Sequence, residues 1–424
     1  MPKIKPFRAV IYNQEKIKDL SSVVCPPYDI ISATRQEYYH NICPYNFIHI
    51  ILGKDIPQDN KYKRAKSYFK DWLKSKILIQ DESPAMYFYS QQYNLKGEKK
   101  SRLGFIALLS LEEGRTSIFG HEHTRLEPKE DRLRLLKNVK ANLSPIFVVF
   151  SDHKRIIQRT YQQHIQAQEP FIDIIDDDKT SHKLWRLNSG DILGKIQADM
   201  QGANIFIADG HHRYEVACAY RDEMKRKLGT IAQEAGYNYI LAYFTSIESR
   251  GLTILPIHRF VKIETDLNSL SLSLKDYFDI EEIKDKIRFF FLMEKAGQRT
   301  EHVLGMYKDK KYWLLRLKNI KILDRIISDK PREYRTLDVS ILNYIILKKI
   351  LSLDLEDKET ITFSPHPDEL IEQVNNNNSY IAFFLNPVKI QQITAIATSG
   401  EKMPAKSTYF YPKVASGLLI HKFE

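Results

Sequence analysis

The string Asp209-Gly210-His211-His212-Arg213 concentrates five residues that can do chemistry on an anion. A glycine at a turn lets backbone amides approach a ligand closely, and the amides that open a following helix carry partial positive charge. Arg213 adds a planar, permanently charged fork suited to phosphate oxygens. His211 and His212 can donate to a phosphate or protonate a leaving oxygen, while Asp209 can hold a divalent cation or orient a histidine. A polar helix cap with packed histidines is the plain alternative for any one of them; five together at a strand-to-helix turn favour function.

Two further strings carry polar chemistry. Gly120-His121-Glu122-His123-Thr124-Arg125 sets a carboxylate between two histidines, the composition of a general base or a metal ligand. His121 and His123 fall on opposite sides of a helix, so they are no helical zinc pair, although with His211 and His212 they leave a four-histidine metal cluster open. Lys406-Ser407-Thr408 offers phosphate a point charge and two hydroxyl donors, a weak signal that gains weight beside the other two. In Cys25-Pro26-Pro27-Tyr28-Asp29 the paired prolines stiffen a loop that can present Tyr28 and Asp29. His258 and Arg259 end an expected strand, where burial of the histidine is the safer reading.

These residues need elements to hold them. Residues 59–76 place Tyr62, Ala65, Tyr68, Phe69 and Trp72 at helical spacing. Residues 86–93 and 101–111 read as strands joined by a turn at 97–100, and 128–140 as a helix opened by Pro128. LSPIFVVF at 143–150 reads as a buried strand, and 204–229 as strand, tight glycine loop and helix. Residues 238–247 and 252–260 are further strands, and from about 261 the chain becomes a run of Lys-rich amphipathic segments. Residues 173–190 are a candidate insertion or domain joint. The alternation predicts an α/β protein of α+β character with a mixed sheet.

Composition narrows the classes. With 424 residues, 43% hydrophobic and 28% charged, the chain has a normal core available and room for two or three domains. A net charge of +11 favours anionic partners without choosing among them. Three widely spaced cysteines, Cys25, Cys43 and Cys218, make neither a disulfide framework nor a cysteine zinc site. The opening MPKIKPFRAV has no long apolar run after its basic start, and no stretch approaches the roughly 18 apolar residues of a membrane span. A reduced, soluble, cytoplasmic protein with no membrane partner is expected. GxxxxGK[ST], GxGxxG, GxSxG and HExxH are all absent, which removes the signatures of P-loop kinases, Rossmann dehydrogenases, α/β-hydrolases and zincins.

The strings PPYDIIS, CPYNFIHIILG, GHEHT, ANLSPI, ADGHHRYEVA, LPIHR, TLDVS and MPAKSTYFYPK resemble a widespread domain-of-unknown-function family that has loosely carried the label SpoOJ/ParB-like. The resemblance runs from residue 4 to about 420, with Cys43 where an asparagine is usual. The DGHHR turn is in turn similar to the phosphate-binding turn of the ParB/sulfiredoxin-like fold, which includes partition proteins, sulfiredoxin and free-serine kinases. The archaeal free-serine kinase offers the nearest parallel, with a His-Glu pair, DGHHR and a Lys-hydroxyl loop in the same order as His121-Glu122, Asp209–Arg213 and Lys406-Ser407-Thr408, at shorter spacings.

That resemblance implies a ParB/sulfiredoxin-like core at 101–260, an N-terminal α/β region at 1–100, and a C-terminal α/β region at 261–424 that contributes the Lys-Ser-Thr loop. It implies a kinase that phosphorylates free L-serine to O-phospho-L-serine, in serine and cysteine metabolism, with pyrophosphate as donor and Mg²⁺ as cofactor. Glu122 is then the base, with His211 and His212 also catalytic. Gly210, His211, His212, Arg213, Lys406, Ser407 and Thr408 hold phosphate, and Asp209 holds the metal or orients a histidine. Tyr28, Asp29, His123, His258 and Arg259 are candidates for contacts to the acceptor. ADP or ATP as donor, a ParB-like nucleotide-dependent nucleic-acid-binding protein, and a histidine-rich metal-dependent hydrolase stay open; spread-out basic residues and no clear recognition helix weigh against nucleic acid.

Overall fold

The computed structural model describes residues 2–112, 117–124, 126–229, 234–299, 301–357 and 359–423. The chain divides into two compact units. Unit 1 comprises Met1–Gly120, Thr124–Thr253 and Pro412–Glu424; unit 2 comprises His121–His123 and Ile254–Tyr411.

Unit 1 is built on a nine-stranded mixed sheet. Its strands are β1 (Ile4–Lys5), β2 (Met86–Leu95), β3 (Glu98–Ser110), β4 (Ile118–Gly120), β5 (Ile146–Phe150), β6 (Ile172–Ile175), β7 (Ser181–Leu187), β8 (Ile205–Asp209) and β9 (Tyr239–Ser246). They run in the order β4-β8-β5-β9-β3-β2-β7-β6, with β1 also on β3. The β4–β8 and β5–β9 pairs are parallel and the others antiparallel. Alternate residues of the central strands, such as Phe105, Ala107 and Leu109, Ile146, Val148 and Phe150, and Ala242 and Phe244, fill a single core cluster. A period of two puts such residues on one face of the sheet.

Helix α1 (Lys61–Lys74) forms where the sequence expects it. The Asn60 side chain caps the amides of Tyr62 and Lys63, and Ala65, Phe69 and Trp72 are buried. Helices α2 (Leu126–Val139) and α3 (His211–Leu228) pack through Leu136, Val216 and Tyr220.

Some expectations shift. The turn between β2 and β3 is Lys96-Gly97, both at positive φ, so most of GEKK belongs to β3; a two-residue hairpin of this hand needs that geometry at both positions. The 100/101 boundary expected from the sequence falls inside β3. Residues 173–190 are no joint: they carry β6 and β7, which extend the sheet from β2 with Leu184, Trp185 and Leu187 buried.

Unit 2 holds an antiparallel six-stranded sheet of β10 (His258–Lys262), β11 (Phe278–Ile283), β12 (Val303–Lys308), β13 (Lys311–Leu317), β14 (Ile361–Ser364) and β15 (Tyr380–Phe384). The order is β11-β13-β12-β15-β10-β14. The segment expected as one strand at 252–260 breaks at Pro256, between Thr253–Leu255 and β10, because proline has no N–H for a ladder. Among the described residues no helix is long and apolar enough to cross a membrane.

Candidate functional site

The sequence-expected site residues fall into two groups. Tyr28, Asp29, Asp209, Gly210, His211, His212 and Arg213 belong to unit 1, and Glu122, His123, His258, Arg259, Lys406, Ser407 and Thr408 to unit 2.

In unit 1, β8 ends at Asp209 and α3 begins at His211, so Gly210 alone makes the turn. Its φ is 92°, and a Cβ there would lie 2.9 Å from Ile146 Cγ2 and 3.0 Å from the Arg213 guanidinium. Glycine is therefore required both by backbone conformation and by space. The first helical hydrogen bond runs from Tyr214 N to Gly210 O at 3.0 Å; the amides of the turn before it have no partner inside the helix. His211 is 4% exposed and His212 is half-buried.

The carboxylate beside that turn is held by two cations. Arg213 Nη2 donates to Asp209 Oδ2 at 2.6 Å, and Lys413 Nζ pairs with Asp209 Oδ1. Arg213 Nη1 also donates to the Pro145 carbonyl, which ties the guanidinium to the segment leading into β5. All three charged side chains are largely buried, a setting in which a carboxylate and its counter-charges hold each other in place.

Tyr28 follows Pro27 in a short 3-10 turn, with the Arg132 guanidinium 4.1 Å from its ring centre. Tyr28 and Arg213 line one small pocket of about 60 Å³. Burial, then the charge of Asp29, pushes the Tyr28 hydroxyl up to about 12, so at neutral pH it is a neutral donor. Asp29 itself is exposed.

In unit 2 the 121–123 segment is laced to the 403–410 loop. Met403 N donates to His121 O at 2.8 Å, His121 Nε2 lies 3.1 Å from Thr408 Oγ1, and the His121 ring packs on Phe410. His121 is buried, Glu122 half-buried and His123 exposed. The two histidines of this segment therefore differ in exposure, His121 inside and His123 outside. Thr124, counted in unit 1, donates to Glu215 Oε2 at 2.6 Å.

The Lys-Ser-Thr loop is a tight turn. Lys406 is exposed with φ 55°, and the Ser407 hydroxyl donates to the Pro404 carbonyl. Arg259 supports it from beneath: Nη2 donates to Ala405 O at 3.3 Å, Nη1 to Ile257 O, and the guanidinium lies 4.8 Å from the Phe363 ring centre. Burial pulls its pKa down to about 9, and it stays a cation at neutral pH. His258 accepts from Leu385 N at 3.1 Å and packs on Phe384; burial, aided by Arg259, pushes it down to about 3. Both residues are buried and engaged with backbone, Arg259 at the loop and His258 at Leu385.

Asp209 does not fit a metal ligand, because each of its oxygens already holds a protein cation. Nor does the four-histidine cluster assemble: among the described residues no group of three or more His, Cys, Asp and Glu side chains is placed to hold a metal ion. Sequence reasoning gave Lys413 and Arg132 no role. Lys413 stands in the quoted string MPAKSTYFYPK, yet nothing local marks its partner, 204 residues away.

Fold and site together define a mixed α/β protein with a polar strand–glycine–helix turn. The chain belongs to the family described as a protein of unknown function, DUF1015, whose model matches residues 4–340. No curated protein matches it. Among solved structures, SbnI with a C-terminal truncation from Staphylococcus aureus is similar at 11% identity and a TM-score of 0.35, over 74% of this chain and 87% of that one. A mutant free serine kinase in complex with ADP is similar at 12% identity and 0.33, over 69% and 84%. A conserved hypothetical protein from Pyrococcus furiosus is similar at 12% and 0.32, over 70% and 89%. At this degree of likeness no activity passes from those proteins to this chain.

Proposed function

We propose that the protein is a small-molecule kinase that transfers a phosphoryl group from pyrophosphate to the hydroxyl of free L-serine. The observation that supports it most is the Gly210 turn, where helix-opening amides, two histidines and the Asp209–Arg213–Lys413 network meet at the end of β8. Phosphoryl transfer needs an anion cradle, charge neutralisation and a base for the attacking hydroxyl. The turn supplies the first two.

In this reading Glu122 takes the proton from the serine Oγ as the new Oγ–P bond forms. The bridging P–O bond of pyrophosphate breaks, inorganic phosphate leaves, and His211 or His212 donates a proton to it. Tyr28, neutral and beside Arg213, is a donor to a phosphate or carboxylate oxygen. Mg²⁺, when bound, would come with the donor and supply further charge neutralisation, since it is commonly held by substrate phosphates and water. The test is a panel of pyrophosphate, ADP, ATP and CTP with L-serine and Mg²⁺, read by phosphorus NMR for O-phosphoserine. Product with pyrophosphate supports the reading, product with a nucleotide alone changes the donor, and no product with any donor overturns it.

A further inference from the structure

Unit 2 contains a second polar pocket, of about 340 Å³, within the range of small-ligand sites. It forms where the chain leaves β15 through Leu385–Lys389 and enters helix α4 (Ile390–Thr398), beside His302 just ahead of β12 and the segment 336–339. Ile257, Leu337, Val339 and Leu385 give it apolar walls. Ser407 reaches it too, with its hydroxyl committed to Pro404.

The polar groups leave a specific deficit. His302 Nδ1 lies 3.0 Å from Asp338 Oδ1, both side chains are less than one-fifth exposed, at 19% and 18%, and the pair fixes the imidazole so that Nε2 is the atom left to a ligand. The other carboxylate, Glu301, is already held by Arg299 and Arg316. Arg332 and Lys389 also line the pocket; Lys389 Nζ donates to Arg299 O at 3.3 Å and its charge acts on the Asp338 carboxylate, while Arg332 has no ion pair among the described residues. Glu301 is thus answered by two arginines and Asp338 by His302 and the charge of Lys389, and Arg332 is the cation left over.

We infer that this pocket binds a small hydroxylated organic anion, its acidic group taken by Arg332 and Lys389 and its hydroxyl bonded to His302 Nε2. The apolar walls take a carbon skeleton, which a bare inorganic anion lacks. The inference stands apart from the kinase reading, because none of the residues that recognise the ligand belongs to the Gly210 turn or to Glu122.

Titration calorimetry on the full chain tests it, with D-glycerate and L-lactate, neither a substrate nor a product of the proposed reaction, as probes and inorganic phosphate as the bare-anion control. At least one organic probe is expected to bind saturably at one per chain and more tightly than phosphate. Arg332→Ala and His302→Gln should each weaken that binding about tenfold or more, the scale of one charge-assisted hydrogen bond. Lys311→Ala, which removes an exposed cation outside both sites, should leave it unchanged. Arg332 is exposed, so its variant keeps the fold, and matched thermal melts verify this. No saturable binding by any organic probe overturns the inference, as does binding that survives both pocket variants or is lost equally in Lys311→Ala.

Discussion

Arg213 reaches back across Gly210 to Asp209, Nη2 to Oδ2 at 2.6 Å, so the last residue of a strand and the first turn of the next helix are joined by an ion pair. Lys413 holds the other oxygen, and the three side chains are 10–14% exposed. Removing the shared carboxylate leaves two buried cations facing each other. Asp209→Ala should cost about 3–5 kcal/mol, the range for breaking a buried pair. Urea unfolding of the variant and the parent measures it, and a loss below 1 kcal/mol would show that the network contributes little.

Gly210→Ala tests the turn itself. A Cβ would meet Ile146 and Arg213 at about 3 Å on a backbone with φ 92°. Left-handed conformation and overlap each cost a non-glycine residue on the order of 1–3 kcal/mol. The same substitution displaces Arg213, so phosphate affinity should fall along with stability. Pyrophosphate titration and an unfolding curve on one preparation separate the two losses; a variant that keeps both would refute the close-packed turn.

Glu122→Gln keeps the shape and the hydrogen-bonding capacity of the side chain but cannot take a proton. The 121–123 backbone is tied to Met403, so this exchange leaves the loop anchored. If Glu122 is the base, kcat for phosphoserine formation should drop about 10²–10⁴-fold, with the KM for donor little changed. Turnover equal to the parent's removes Glu122 from the chemistry.

The strand–glycine–helix turn is readable from sequence because an apolar run, one glycine and an amphipathic helix follow each other without a gap at 205–228. Local pattern cannot supply the Lys413 contact to Asp209, since each residue is an ordinary charge until the fold brings them together. Unit 2 was harder for a related reason. Its strands, such as Lys311–Leu317, mix buried leucines with exposed lysine, and over so few residues that looks like one face of a helix. The His121–His123 segment leaves no hydrophobic signal at all: His121 is held by its bonds to a loop nearly 300 positions later. Arg259 shows the same limit, since its charge suggests a ligand until its bonds to Ile257 and Ala405 are seen.

His258 makes the stability of the fold depend on pH in a definite direction. Burial, then Arg259, holds its pKa near 3, against about 6.5 in an unfolded chain. Below pH 6.5 the unfolded chain therefore takes up a proton that the folded one refuses. Stability contributed at this position is constant above that pH and falls as pH drops from 6.5 toward 3, by up to about 1.4 kcal/mol per unit. His258→Asn keeps an acceptor for Leu385 N and cannot be protonated. It should lose some stability at pH 7 through poorer packing on Phe384. Between pH 7 and pH 5, however, it should lose about 2 kcal/mol less than the parent. Urea unfolding of both proteins at the two pH values gives the comparison, and an identical pH dependence would place the proton elsewhere.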